Sequence, residues 1–183
     1  AFHDELFCRM LVGAIGRGKE IPTARGRLVF KPTAVFRELA GDVDTLPVSR
    51  PLGMSSNTVV LLDDQLFLKG YRHVREGINP ELEMGRFLTE VARYPHCVPV
   101  LGALEYMSHD GRTMTLAMVQ SYMANQGDGW DYTLGYLERF LRDAATTDGS
   151  APEPTEVADV HGGFLALMGT LGPRTAGLHR ALA

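Results

Sequence analysis

The apolar run Leu66-Phe67-Leu68 closes on a lysine, Lys69, and the chain then passes through Asn79-Pro80 into a segment that carries Glu81 and Glu83. A lysine ending an otherwise apolar strand constrains the fold, because a buried, unpaired ammonium is costly. It needs a route to solvent or an anionic partner. Val59 to Leu62 and Leu66 to Lys69 are β-like, and Asp63-Asp64-Gln65 between them is turn chemistry, so the two form a hairpin with Lys69 at the end of a central strand. Asn79 supplies a helix N-cap, Pro80 the first helical position, and the acidic residues then fall where the macrodipole favours them. Met84, Phe87, Leu88 and Val91 make one apolar stripe along this helix, which Pro95 and Pro99 stop. Glu81 and Glu83 are both candidates to pair with Lys69. At ~100° per residue they flank the stripe at comparable angles, so helical geometry does not choose between them.

Ahead of the hairpin lies a small polar loop, Ser55-Ser56-Asn57-Thr58, with Gly53 allowing a sharp approach. Its hydroxyls, amide and backbone N–H groups can bond phosphates without a Walker A pattern. A polar turn and a solvated edge lysine are the plain alternatives for these two features taken singly. Loop, strand, turn, lysine and capped helix in that order are more specific, and they are the parts with which a kinase N-lobe grips ATP.

The remaining segments supply scaffold. Phe2, Leu6, Phe7, Met10, Leu11, Ala14 and Ile15 recur at helical spacing, and a short strand, Gly26 to Phe30, and a weak helix, Val35 to Leu39, follow. Residues 1–46 contain no catalytic constellation, and His3 reads as a capping or packing residue. Val100 to Tyr106 and Thr113 to Gln120 form a second antiparallel pair. His109-Asp110-Gly111 between them resembles fragments of kinase catalytic motifs, yet Asp-Gly between two β-like runs is first a hairpin turn. Beyond Gln126 a helix is expected with Leu134, Leu137, Phe140 and Leu141 on one face. Trp130, flanked by Asp128 and Asp131, suits either sugar stacking or aromatic packing beside a helix capped by Asp131. Residues 144–156 have linker composition. The last stripe, Val157, Val160, Phe164, Met168, Leu171, Leu178 and Leu182, predicts one or two helices that Gly162-Gly163 and Gly172-Pro173 bend or split, with His161 and His179 structural.

Composition excludes several classes. The 183 residues suffice for one domain or two small subdomains. The formal net charge is -4 and no basic block interrupts the chain, which argues against nucleic acid as a partner. No apolar run approaches the roughly 20 residues of a membrane helix, so no membrane partner is expected and the cytoplasm is the default location. Cys8 and Cys97 lie far apart without metal-ligand spacing and read as reduced, buried thiols.

The segments SSNTVVLLDDQLFLKGYRHVREGINPELEMGRFLTE, VPVLGALEY and TLAMVQSYMANQGDGWDYTL, together with the N-terminal AFHDELFCRMLVGAI and the C-terminal LGPRTAGLHRALA, closely resemble the bacterial maltokinases, including the kinase segment fused behind trehalose synthase. The resemblance covers nearly the whole chain. It implies an α+β, protein-kinase-like N-lobe: a cap subdomain over 1–50, an intermediate nucleotide-binding subdomain over 51–125 in which an antiparallel sheet carries a packed helix, and post-hinge helices and linker over 126–183. Such enzymes use ATP and magnesium to phosphorylate the anomeric hydroxyl of maltose for α-glucan synthesis. Carried over by position, Ser55, Ser56, Asn57 and Thr58 are the phosphate loop, Lys69 the nucleotide lysine, Glu83 its helix partner, and Gln120, Ser121 and Tyr122 the adenine-contacting hinge. Gly70 and Tyr71 stand where relatives more often carry an aliphatic residue and Phe, a change expected to matter little. Pro173 interrupts a helix that is usually continuous.

Relatives also carry a helical C-lobe with an HGD-type catalytic loop and a metal-binding Asp, and this sequence ends before either. Asp159-Val160-His161-Gly162-Gly163 contains His-Gly with no following Asp. The expectation is therefore an N-lobe without its C-lobe, with no catalytic or metal-binding residue of its own, inactive alone. Two other readings remain: a binding or assembly module attached to trehalose synthase in cis or in trans, and the N-lobe of a kinase acting on another small hydroxylated substrate such as an aminoglycoside.

Overall fold

A computed structural model describes residues 1–51, 56–146 and 154–183, with 146 and 154–160 described by backbone alone. The chain divides into two units, Ala1–Met123 and Ala124–Ala183. The first is built on a seven-stranded sheet, every named pairing of which is antiparallel. Its strands are β1 (Glu20–Thr23), β2 (Gly26–Pro32), β3 (Val48–Ser49), β4 (Thr58–Leu62), β5 (Leu66–Gly70), β6 (Val100–Ser108) and β7 (Thr113–Ser121), in the spatial order β1-β2-β6-β7-β5-β4-β3. Both expected hairpins form. Asp63 turns the first with a left-handed φ of 52°, tolerable for Asp, while Gln65 donates to its carboxylate at 3.0 Å. β1, which contains Pro22, is an edge strand, where the missing N–H costs no ladder bond.

The sheet buries two unequal faces. Helix α1 (Glu5–Gly16) is capped by Asp4, which accepts the N–H of Phe7 at 3.1 Å, and packs Cys8, Leu11, Val12 and Ile15 against Phe30, Val60, Leu68, Leu101 and Val119. The short α2 (Phe36–Leu39) adds Phe36 to this larger core. Helix α3 (Pro80–Arg86) covers the other face, where Leu82 meets Val100, Ala103 and Met118 with Tyr71 against them. Burial pushes the thiols of Cys8 and Cys97 above their ordinary range, and neither forms a disulfide.

α3 departs from the expected stripe. Leu82 is 1% exposed and Leu88 is buried, but Met84, Phe87 and Val91 are exposed, Val91 at 70%. Met84 is ~200° round the helix from Leu82 and faces outward once Leu82 is buried; beyond it α3 runs directly into a π-helical turn, Phe87–Val91, closed by the Ala92 N–H on the Phe87 carbonyl, and the wider turn shifts the buried face to Leu88. Gly85 lies on that face. A Cβ there would come within 2.5 Å of Val100 Cγ2, so the absent side chain lets the helix sit close to β6.

The second unit holds α4 (Gly129–Thr146) and α5 (Pro154–Leu182). The packed ring face differs from the leucine face expected for α4: Tyr136 stacks on Phe164 at 4.3 Å between centroids, Tyr132 lies parallel to Phe164 at 6.2 Å, and Phe140 meets His161 at 5.1 Å. Leu134, Leu137 and Leu141 are exposed, because aromatic rings at a four-residue spacing already supply the contact. His161 shares a hydrogen bond with the Tyr136 hydroxyl, a structural role. α5 is continuous through Gly162-Gly163 and Gly172-Pro173, not split there, since one proline removes a single helical hydrogen bond from a helix of 29 residues. The helix cap is Asp128, which accepts the Asp131 N–H at 2.8 Å, whereas Asp131 lies inside the first turn. Of the expected linker, 147–153 lies outside the described residues.

A charged pair that gave no signal in the sequence lies on the α3 face of the sheet. Glu105, on β6, keeps only 9% of its side chain exposed and is ion-paired with Lys31 of β2. We expect Lys31→Met to destabilise the protein by about 1–3 kcal/mol in urea denaturation, less than for a fully buried pair because Lys31 is partly solvated, and Lys31→Met with Glu105→Leu to recover most of that loss. Truncating the contact that seats α3, Leu82→Ala, should cost about 2–5 kcal/mol by the same measurement.

Candidate functional site

Lys69 is the penultimate residue of β5, an internal strand, paired on one side with Val59 and on the other with Met118. Because side chains alternate along a strand, Leu66 and Leu68 enter the α1 core while Phe67 and Lys69 point to the α3 face. The Lys69 side chain is 18% exposed. Its ammonium stands 5.9 Å from the Phe67 ring centroid, within cation–π range, and bonds to Glu81 Oε1 at 2.5 Å.

Glu81 is held in place by the cap that introduces α3. Asn79 Oδ1 accepts the N–H of Glu81 at 2.9 Å and of Leu82 at 3.3 Å, with Pro80 at the first helical position as expected. The second carboxylate oxygen of Glu81 accepts the Tyr71 hydroxyl at 3.0 Å. The choice of Glu83 as the lysine partner is thus corrected: in this structure Lys69 pairs with Glu81. Glu83, two residues on, points elsewhere and lines a depression of about 310 Å³ with Lys31, Ile78, Leu82, Arg86, Glu105 and Thr113. Two residues along a helix are ~200° of rotation, so once Leu82 faces the sheet the two glutamates diverge to either side of it.

The other candidate residues surround this pair unevenly. Ser55 lies outside the described residues; Ser56 is exposed and Asn57 half-buried at the entry to β4. Thr58 begins β4 opposite Gly70, and its hydroxyl accepts the Arg72 guanidinium at 3.3 Å. Gln120 pairs with Phe67, two positions along from the Lys69–Met118 pair, which brings the end of β7 beside the lysine strand. That end is pinned on both sides: the Ser121 N–H donates to the Pro99 carbonyl at 3.0 Å and the Tyr122 N–H to the Gln65 carbonyl at 2.7 Å. The structure therefore joins Lys69 and Glu81 directly and sets Thr58 and Gln120 on adjacent strands.

Tyr71, which the sequence did not single out for the site, joins the pair through its hydroxyl. Its ring matches the expected hydrophobic position, and nothing in the sequence signals the hydroxyl's reach to Glu81. Asp110 is a turn residue: Ser108 and Arg112 bond its carboxylate, and the Ser108 hydroxyl above all holds it below the usual carboxylate range. Gly111 completes the turn with a φ of 84°. Trp130 is 72% exposed in the second unit. Among the described residues, no group of three or more His, Cys, Asp or Glu side chains is gathered so as to hold a metal ion.

None of the known protein-family profiles matches the chain. Among solved structures it is similar to a glucosamine kinase (crystal form B), with a TM-score of 0.57 and 20% sequence identity over 96% of this chain and 37% of that one. The chain thus spans little more than a third of the length of that kinase, and the likeness shows a kinase-like fold.

Proposed function

We propose that the chain is the nucleotide-gripping part of an ATP-dependent sugar kinase. The observation that carries this reading is the Lys69–Glu81 pair at the end of an internal strand of an antiparallel sheet, in a fold similar to that of a kinase. Phosphoryl transfer asks little covalent chemistry of a protein: the γ-phosphoryl passes from ATP to an acceptor oxygen, ADP departs and the hydroxyl proton is lost, and catalysis consists of positioning and charge stabilisation. A lysine held extended by a carboxylate is prepared to meet α- and β-phosphate oxygens, because the ordering of its long side chain precedes ligand arrival.

In this reading Ser55, Ser56, Asn57 and Thr58 close over the phosphates, Glu81 in place of Glu83 orients Lys69, and Gln120, Ser121 and Tyr122 present the strand end to adenine. Magnesium accompanies the nucleotide and supplies charge neutralisation on the phosphates; no residue of this chain is assigned to it. No residue is assigned as the base for the acceptor hydroxyl either, so the chain alone is expected to transfer nothing. For the acceptor, the resemblance to maltokinases that the SNT loop, LFLKGYR, GINPELE and NQGDGWDYTL motifs carry favours maltose, phosphorylated at the anomeric hydroxyl, with trehalose synthase as a partner in cis or trans. The glucosamine kinase likeness favours an amino sugar as the second reading.

Titration calorimetry of the full-length protein with magnesium-ATP tests the core of this reading. Lys69→Met should weaken nucleotide binding about 10- to 100-fold, the equivalent of one charge-assisted hydrogen bond, and leave the melting temperature nearly unchanged. A wild-type protein that takes up no nucleotide, or a Lys69→Met protein that binds it equally well, refutes the reading. In the complete kinase that this reading implies, ADP release with maltose against glucosamine separates the two acceptors.

A further inference from the structure

Glu81 offers two carboxylate oxygens, and Lys69 occupies one. The other accepts the phenol of Tyr71, whose backbone is bonded to the sheet. The Tyr71 backbone N–H donates to the Leu116 carbonyl at 3.0 Å, extending the β5–β7 ladder one residue past Gly70. Its ring packs against the cluster of Leu82, Val100, Ala103 and Met118. The phenol is therefore fixed to the sheet, while the carboxylate it grips belongs to the helix. Burial, followed by the neighbouring Glu81 carboxylate, raises the phenol well above its ordinary range, so it stays a donor throughout the neutral range.

We propose that Tyr71 is a positioning residue for the Lys69–Glu81 pair, its hydroxyl fixing the Glu81 carboxylate so that α3 and the carboxylate keep their places when Lys69 turns to a nucleotide phosphate. The proposal rests on the nucleotide reading of Lys69. A carboxylate held by the lysine alone loses its partner when phosphate oxygens compete for the ammonium, and regains rotamer freedom that binding must then remove again. With Tyr71 in place, Glu81 retains one hydrogen bond throughout. Its remaining oxygen stays directed at the ammonium, and the exchange of anions around Lys69 proceeds without loosening the helix.

Tyr71→Phe removes the hydroxyl and keeps the ring. In calorimetry with magnesium-ATP we expect it to weaken binding about three- to tenfold and to leave the melting temperature within a few degrees of the wild type. In a Glu81→Ala background the same substitution should leave nucleotide affinity unaltered, because the hydroxyl acts through Glu81. Equal losses in both backgrounds, or no loss in the wild-type background, overturn the proposal. Acetylation of Lys69 by acetic anhydride without nucleotide, followed by mass spectrometry, gives an arm independent of ATP: Tyr71→Phe should speed it severalfold, and an unchanged rate also overturns the clamp. A wild-type protein that binds no ATP refutes the nucleotide reading, and the labelling rate then decides the clamp by itself.

Discussion

An ammonium on an internal β-strand must find an anion, and in this protein that need connects the sheet to its helix. β5 has hydrogen-bonded neighbours on both sides, so Lys69 cannot escape sideways at an edge. Water reaches only part of the side chain. A carboxylate must reach the ammonium on the face to which it points, from a neighbouring strand or from an element packed there, and here it comes from α3. The Asn79-Pro80 start of α3 meets the requirement by placing Glu81 in the first turn, its N–H capped and its carboxylate over the lysine.

Where α3 lies is settled by features that are not charged. Leu82 fills the space above Val100, Ala103 and Met118, and Gly85 permits close approach to Val100. Thr89, in the π-helical turn, donates to the Gly85 carbonyl at 2.7 Å and accepts the Val100 N–H at 3.0 Å, so one hydroxyl ties the end of the helix to the start of β6. These three contacts set the rotation of the helix. Which glutamate meets Lys69 is a consequence of that rotation.

This explains what could be read from the sequence and what could not. The hairpins, the Asn79 cap, the buried Lys69 strand and the turn identity of His109-Asp110-Gly111 each depend on local patterns of period two, capping residues or turn residues, and each was legible. The choice between Glu81 and Glu83 depends on a helix rotation fixed by contacts with β6, more than ten residues away, so helical periodicity left it open. The stripe on α3 was misread because Leu82, ~200° from Met84, takes the buried face and because the π-helical turn that follows breaks the ~3.6-residue period on which stripe counting relies. The replacement of Phe by Tyr71 was expected to matter little for a related reason. A hydroxyl on a ring that packs as Phe would has no sequence pattern, and its partner lies on another element.

Lys69 shares its face of the sheet with a second lysine. The pairings Lys69–Met118, Met118–Ala103 and Ala103–Lys31 place Lys31 and Lys69 in one cross-strand row. Both ammonium groups are neutralised, but from different directions. Lys31 is paired with Glu105 from an adjacent strand, so that pair persists as long as the sheet does. Lys69 is paired with a carboxylate on a short helix seated by a handful of side chains, and helix docking opens at lower free energy than the core of a sheet. Of the two lysines in the row, Lys69 is therefore the one that the proposed nucleotide reading requires to exchange its anion, and Tyr71, bound to the sheet by its backbone and to the helix by its hydroxyl, is the residue proposed to limit how far that exchange moves α3.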